Sequence, residues 1–314
     1  MRPVIALTGA TGFIGANIAK EFAERGWPVR ALTRRPPPTD LASGQGVNWI
    51  HGDLSDTTAL KTLLAGADAL VHCAGLVKAR SAHEFEDVNA GAVARLAEIA
   101  RETGPRRFVL ISSLSARERG LSAYARSKYL GEQALTAHGD RLKATILRPT
   151  AVYGPGDRET LAIFRAVKRG LAPIPGDGSG RVSLIHVNDL AGAVTAVLDA
   201  PATAGLTFEV SDGRPQGYGF REMLELIAEV LEVRARLVPV PPTVLKLVGA
   251  INQGAGRIAG YTPMLTPGKA RELCHPDWLC RDHRLAEYTS WSPRIAASEG
   301  LRDTVRWYRT HGLL

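Results

Sequence analysis

Apolar residues in the first half of the chain alternate between two periods. Short continuous runs rich in Val, Ile and Leu recur at residues 4–8, 29–33, 47–50, 69–73, 107–112 and 144–147. Each has the length of a strand buried on both faces. Between them the apolar positions spread to helical spacing, as at Ile14, Ile18 and Phe22 in a predicted helix over 13–25, with Gly26 at its end. The same spacing predicts helices over 88–101 and 124–137. Buried strands joined by helical crossovers predict an α/β fold, a parallel sheet doubly wound with helices on both faces.

The pattern changes after Arg148. Glycine and proline crowd residues 154–180 around one predicted helix at 159–169. A strand over 183–187 follows, with Asp189 opening a helix, and from Leu206 the elements shorten. Pro239-Val240-Pro241-Pro242 precedes a helix-like stretch at 244–258. These features predict a smaller, interleaved α+β domain. Residues 1–155 form the first domain, 181–205 return to it, and 156–180 with 206–314 form the second.

Composition narrows the partners. Of 314 residues, 45% are hydrophobic and 22% charged, which suits a globular chain and not a disordered one. The 39 Lys and Arg exceed the 31 Asp and Glu by eight, and most of the cations are arginine. Such a surplus invites nucleic acid or an anionic membrane surface. The short clusters Arg34-Arg35 and Arg106-Arg107 make no basic tail, and aromatic–basic clusters are lacking, so nucleic acid is set aside. Three cysteines, Cys73, Cys274 and Cys280, cannot all pair and fit a reducing cytoplasm. Cys274-His275, Cys280 and His283 match no compact zinc spacing, so no metal is expected. No run of 18 apolar residues would span a bilayer.

The strongest local signal is Thr8-Gly9-Ala10-Thr11-Gly12-Phe13-Ile14-Gly15, set between the first strand and the first helix. Glycines there allow a tight turn and close approach of a pyrophosphate to backbone N–H groups at a helix N-terminus. In a doubly wound (Rossmann) sheet this is the dinucleotide site, and Gly9, Thr11, Gly12, Phe13, Ile14 and Gly15 are its candidate residues. The second strand ends in Thr33-Arg34-Arg35. Arginine forks bind a 2′-phosphate that a carboxylate would repel, so NADP(H) is expected over NAD(H). Tyr124-Ala125-Arg126-Ser127-Lys128 puts Tyr124 and Lys128 on one helix face. A lysine ammonium beside a phenol favours the phenolate and suits tyrosine to proton transfer near neutral pH.

The spacing G-x-x-G-x-x-G and its wording resemble the extended short-chain dehydrogenase/reductase superfamily, the NAD(P)-dependent epimerases, dehydratases and reductases. Ser113-to-Tyr124-to-Lys128, then Leu147-Arg148-Pro149-Thr150-Ala151-Val152-Tyr153-Gly154-Pro155-Gly156 and Leu184-Ile185-His186-Val187-Asn188-Asp189-Leu190, extend the resemblance along nearly the whole chain. It implies that Ser113 hydrogen-bonds the substrate oxygen, with Ser112 and Ser115 as neighbours in doubt. It implies Asp53 and Leu54 at the adenine, although Asp53 also reads as a helix N-cap. By the same likeness Ala74 and Gly75 lie along the cofactor, Asn89 braces the active region, Lys128 bonds the nicotinamide ribose, and Pro149 and Val152 pass near the carboxamide. His72 and His186 read as packed residues.

Three departures bear on the reaction. Only 11 positions separate Ser113 from Tyr124, shorter than in sugar-nucleotide members. Leu114 and Ser115 stand where sugar dehydratases carry an acidic pair. Asn188 stands where aspartate is frequent. The expected activity is NADPH-dependent reduction of a ketone to a secondary alcohol. The C-terminal part resembles reductases and hydroxysteroid-dehydrogenase-like members acting on hydrophobic ketones, such as a 3-oxo ceramide or a steroid-like ketone. A nucleotide-sugar epimerase with tightly bound NAD, and a non-catalytic NADPH-binding subunit or sensor, are the alternatives. Val244, Leu245, Val248, Ile251 and Ile258 share a helix with only Lys246 and Arg257 charged. That helix reads either as a cover for the second domain's core or as a face for lipid or an anionic bilayer. The protein is accordingly expected in the cytoplasm, alone or as a homodimer, with peripheral contact at the inner membrane surface.

Overall fold

The computed structural model describes residues 2–36, 46–105, 107–139 and 142–314. Arg106, half of one of the two arginine pairs, lies outside them. The chain divides into two compact units.

The first comprises Met1–Arg148, Ala191–Glu209 and Arg284–Trp291. Its strands are β1 (Ile5–Thr8), β2 (Val29–Thr33), β3 (Val47–His51), β4 (Ala69–His72), β5 (Arg107–Ile111) and β6 (Ala144–Pro149). Each run is short and almost wholly apolar because helices cover both faces. They pair in parallel, in the order β6-β5-β4-β1-β2-β3, with Ile5 between Val29 and Ala69. The sheet is therefore the doubly wound parallel sheet that the patterning predicts. A seventh strand, Thr207–Val210, joins beside β6. Ile146 N donates to Leu206 O and Thr150 N to Val210 O, a constant register that makes this pair parallel too. Its four residues alternate half-buried and buried, a signal too short to stand out in the sequence. Leu60, Leu63 and Leu64 of the Thr57–Leu64 helix pack with Leu96, Phe108 and Ile146 as one core.

The helix predicted over 88–101 begins earlier. Ser81 caps Ala82–Glu86, accepting from Glu84 N at 3.1 Å, and a π-turn over Asp87–Gly91 leads into Ala92–Thr103. A single π-turn inside a helix commonly marks a functional position, and Asn89 lies within it. The predicted helix at 124–137 is Ala123–Thr136, capped by Ser122, whose hydroxyl accepts from Ala125 N at 2.9 Å.

The second unit comprises Pro149–Leu190, Val210–His283 and Ser292–Leu314. Residues 181–205, expected to return to the first domain, are divided, with 181–190 in the second unit and 191–205 in the first. Residues 206–209 and 284–291, expected in the second domain, lie in the first, and 149–155, expected in the first, lie in the second. The second unit is α+β, with small sheets and helices at Leu161–Lys168, Phe220–Leu231, Pro242–Ala259, Pro267–Leu273 and Ala297–Thr310. Phe164, Ile174, Phe220, Leu224, Leu301 and Tyr308 lie in its core. Asp189 does more than open a helix: its carboxylate receives Arg294 N and Ile295 N, pinning the chain ahead of the last helix.

Candidate active site

Strand order reverses between β1 and β4, since β2 and β3 lie to one side and β5 and β6 to the other. In an open parallel sheet the crevice beyond the carboxyl ends of such a pair is the natural ligand site. Here the two strand exits are drawn tightly together. Ala74 N donates to Thr8 Oγ1 at 3.3 Å, and Thr8 Oγ1 lies 2.7 Å from His72 Nδ1. Gly9 has φ +80°, and a Cβ there would stand 2.6 Å from Ala74 N. A Cβ on Gly15 would stand 2.1 Å from Gly9 O. Only glycine allows the turn to fold against both the next strand's exit and its own helix. Gly12 caps the Phe13–Glu24 helix without any side-chain bond and faces open space apart from Gly9 O. The first-turn N–H groups, with the positive end of the helix dipole, are thus left uncapped by any side chain. This cradle fits a dinucleotide pyrophosphate.

At the end of β2, Arg34 and Arg35 are exposed. The Thr33 hydroxyl bonds the Arg35 backbone and steadies the exit. Asp53 Oδ1 accepts from Ser55 N at 2.7 Å and Ser55 Oγ at 2.6 Å. These bonds, chiefly the Ser55 hydroxyl and with a smaller contribution from Arg34, hold its carboxyl below the ordinary aspartate range. The helix N-cap is Asp56, which accepts from Ala59 N at 3.0 Å, so the capping alternative for Asp53 is corrected by one turn. The Leu54 carbonyl accepts from Arg95 Nε, and its side chain packs partly against the first core.

The Tyr-x-x-x-Lys helix is fastened to the end of β5. Lys128 is buried, and its Nζ donates to Ile111 O at 2.8 Å. Burial pulls its amine down to about 8, while Cys73 and Glu132 act in the opposite sense. A Cβ on Gly75 would lie 3.9 Å from that amine and 2.9 Å from Asn89 Oδ1, so the loop after β4 runs directly over both. Asn89 accepts from Leu76 N at 2.7 Å and donates to Leu76 O at 3.0 Å and to Ser127 Oγ at 2.9 Å. Ser127 Oγ donates in turn to Tyr124 O at 2.7 Å. One amide therefore ties the β4 exit to the Tyr124 turn, and it acts by positioning. Tyr124 is half-buried, its ring edge against Phe85 at 6.0 Å between centroids.

The three neighbouring serines separate by environment. Ser112 is buried and donates to Glu132 Oε1. Ser113 is half-buried, and its Oγ accepts from Ser115 N at 3.1 Å, capping the 3-10 turn Leu114–Glu118. A hydroxyl that accepts still has its own hydrogen to donate. That 3-10 turn also fills the short interval before Tyr124.

Next to Ser112 lies an ion pair outside the sequence motifs. Arg148 Nε donates to Glu132 Oε1 at 2.9 Å, and Arg148 Nη2 pairs with Oε2. Glu132 is almost wholly buried. It sits four positions after Lys128 and eight after Tyr124, a helical interval that was available as a signal.

In the second unit, Pro149 ends β6, and Val152 is half-buried in the strand Ala151–Tyr153, opposite Ile185. His186 is buried, accepts from Asn188 N and meets the Tyr153 ring edge-on, and burial depresses its pKa. His72 is wholly buried in the sheet and pushed down to about 3 by burial, with the Lys128 charge adding to it. Cys280 is buried, and its thiol faces Asp282 O. His275 packs on Trp278. Among the described residues no three His, Cys, Asp or Glu stand together as metal ligands.

Comparison with known proteins bears on this arrangement. Residues 5–210 match the family model described as "NAD dependent epimerase/dehydratase family". A ceramide reductase from Caulobacter vibrioides is 39% identical across all of this chain and 96% of its own length. A 2-alkyl-3-oxoalkanoate reductase from Stenotrophomonas maltophilia is 29% identical over 95% of this chain and 97% of its own. Among solved structures, MoeE5 in complex with UDP-glucuronic acid and NAD superposes with a TM-score of 0.77 at 23% identity, over 98% of this chain and 99% of that one. That last likeness concerns the fold.

Proposed function

The chain belongs to the NAD dependent epimerase/dehydratase family and is an NAD(P)-dependent oxidoreductase, and we propose that it uses NADPH to reduce a ketone on a lipid-like substrate, of the 3-oxo ceramide kind, to a secondary alcohol. The observation that carries this reading is the buried Lys128 amine, bonded to the end of β5 one helical turn behind Tyr124. The substrate class is supported by the similarity to a ceramide reductase over the full chain and to an oxoalkanoate reductase.

In this reading Gly9 and Thr11 to Gly15 hold the pyrophosphate, and Arg34 with Arg35 hold the 2′-phosphate. Asp53 and Leu54 border the adenine, Ala74 and Gly75 give it backbone clearance, and Asn89 keeps that loop in place. Lys128 serves the nicotinamide ribose, with Pro149 and Val152 toward the carboxamide. The bound cofactor supplies the hydride that reduces the carbonyl carbon. Ser113 and Tyr124 donate hydrogen bonds to the carbonyl oxygen, polarising it and fixing its position. Tyr124 then gives its proton to that oxygen as negative charge develops, and the Lys128 ammonium stabilises the phenolate left behind. The protein works in the cytoplasm, where NADPH is available to it.

The test is an assay of the purified protein with a 3-oxo ceramide in mixed micelles, following NADPH oxidation and product mass. Tyr124→Phe is expected to lower kcat by about 10²–10⁴ while NADPH binding is kept. Replacing Arg34 and Arg35 by Ala is expected to raise KM for NADPH far more than for NADH. Equal changes would remove the NADP assignment. Co-purification of tightly bound NAD with no NADPH consumption would replace the reductase by a nucleotide-sugar epimerase.

A further inference from the structure

We infer that the second unit carries a docking surface for an anionic lipid bilayer, formed by the outer face of the Pro242–Ala259 helix. This inference does not rest on the reductase reading.

The helix has one attached side and one open side. Gly249 and Gly256 are buried: a Cβ on Gly249 would meet Thr266 C at 2.7 Å, and one on Gly256 would meet Tyr261 O at 2.9 Å. Asn252 Nδ2 donates to Leu265 O at 3.0 Å, and the Tyr261 hydroxyl bonds Asn252 Oδ1 at 2.6 Å. The returning segment 261–267 therefore covers the small-residue face. On the opposite side Val244, Leu247, Val248, Ile251 and Ile258 form a stripe at helical spacing. Leu247 is 62% exposed, Ile251 64% and Ile258 91%. Scattered exposed aliphatics are ordinary, but a contiguous set on one helix is not. Met264 nearby is exposed as well.

Charge decides what covers this stripe. Between Val233 and Arg271 the chain has six cations and no carboxylate: Arg234, Arg236, Lys246, Arg257, Lys269 and Arg271. Glu232 and Glu272 stand just outside. This segment alone accounts for most of the net charge of +8. Lys269 pairs with Glu272. Arg234, Arg236, Lys246 and Arg257 are exposed and have no ion pair among the described residues. A second copy of the chain set against this face would bring like charges together across a two-fold axis. An anionic headgroup layer instead neutralises them, while acyl chains receive the aliphatic side chains. Lys and Arg stems reach back to the headgroups from such a helix. At 1.5 Å per residue it lies along the surface for about 27 Å. No helix among the described residues is long and apolar enough to cross a membrane.

The experiment is vesicle flotation of the full chain, with phosphatidylcholine alone and with phosphatidylcholine containing phosphatidylglycerol. The expected result is binding to the anionic vesicles about tenfold or more above the neutral ones, weakened as salt is raised from about 0.1 M to 1 M. Leu247→Asp with Ile251→Asp is expected to lower that binding at least about tenfold, and Lys246→Gln with Arg257→Gln to lower it and reduce its salt dependence. All four positions are exposed, so circular dichroism melts of the variants should match the parent. If the aspartate pair fails to fold, the glutamine pair decides alone. Failure of the parent to float with anionic vesicles at low salt overturns the inference, as does unchanged binding by the variants. A dimer in sedimentation that Leu247→Asp with Ile251→Asp dissociates, without vesicle binding by the parent, assigns the face to a second copy instead.

Discussion

The region around Tyr124 and Lys128 buries charge, whereas the segment between Val233 and Arg271 exposes apolar surface. In the first, Lys128 and Glu132 lie inside with specific partners, Ile111 O and Arg148, beside a buried neutral His72 bonded to Thr8. In the second, Leu247, Ile251 and Ile258 stand in solvent beside unpaired cations. Burying a charge is costly unless it is paired and hydrogen-bonded. Exposing a leucine costs little by itself, and a contiguous patch marks a contact surface. The first arrangement thus fixes the side chains of the proposed active site, and the second suits the bilayer contact proposed above.

The largest stability effect expected from this contrast is at Glu132. Glu132→Gln keeps the shape but removes the carboxylate bonded to the Arg148 guanidinium, leaving only the weaker influence of Glu209. Loss of about 3–5 kcal/mol in a urea titration is expected, as for breaking one partner of a buried pair. A loss under about 1 kcal/mol would show the pair to be solvated and weaken the contrast.

His72 offers a pH test of intermediate size. Its folded-state value near 3 lies below the ordinary 6.5, so the unfolded chain binds more protons between those values. The contribution to stability is complete above pH 6.5 and is lost as pH falls toward 3, at up to roughly 1.4 kcal/mol per pH unit. His72→Leu removes the bond to Thr8 and lowers stability at pH 7. Its deficit against the parent should narrow steadily on acidification. A constant deficit would place water at the imidazole.

The smallest effect is expected at Leu247. Leu247→Ser removes exposed apolar surface and should change stability by no more than about 0.5 kcal/mol in thermal melts. A larger loss would mean that the stripe is part of the second unit's core, and the contrast between the two regions would fall.

Much of the first unit was legible in the chain because its signals are local. Six buried strands announce themselves as continuous apolar runs, and the glycine turn as three glycines at a strand–helix junction. Tyr124 and Lys128 share a face simply by spacing. The seventh strand has no clear sequence signal, because Thr-Phe-Glu-Val is four residues of weak alternation, made a strand by the free edge of β6. The assignment of 284–291 to the first unit has no local mark at all, since it is set by which surface those residues meet. Asp53 reads as a cap in the sequence, and hydrogen-bond geometry gives that role to Asp56 instead.

By itself the sequence determined the parallel α/β fold, the dinucleotide cradle and the basic surplus. These depend on periodicity, glycine's freedom and composition, all properties of neighbouring residues. Only the tertiary structure decided that Ser112 serves Glu132 while Ser113 faces the turn, that Asn89 ties the β4 exit to Tyr124, and that the 244–258 stripe is open to solvent. Those outcomes depend on which distant segment arrives beside each side chain, and burial and partnership exist only once it has arrived.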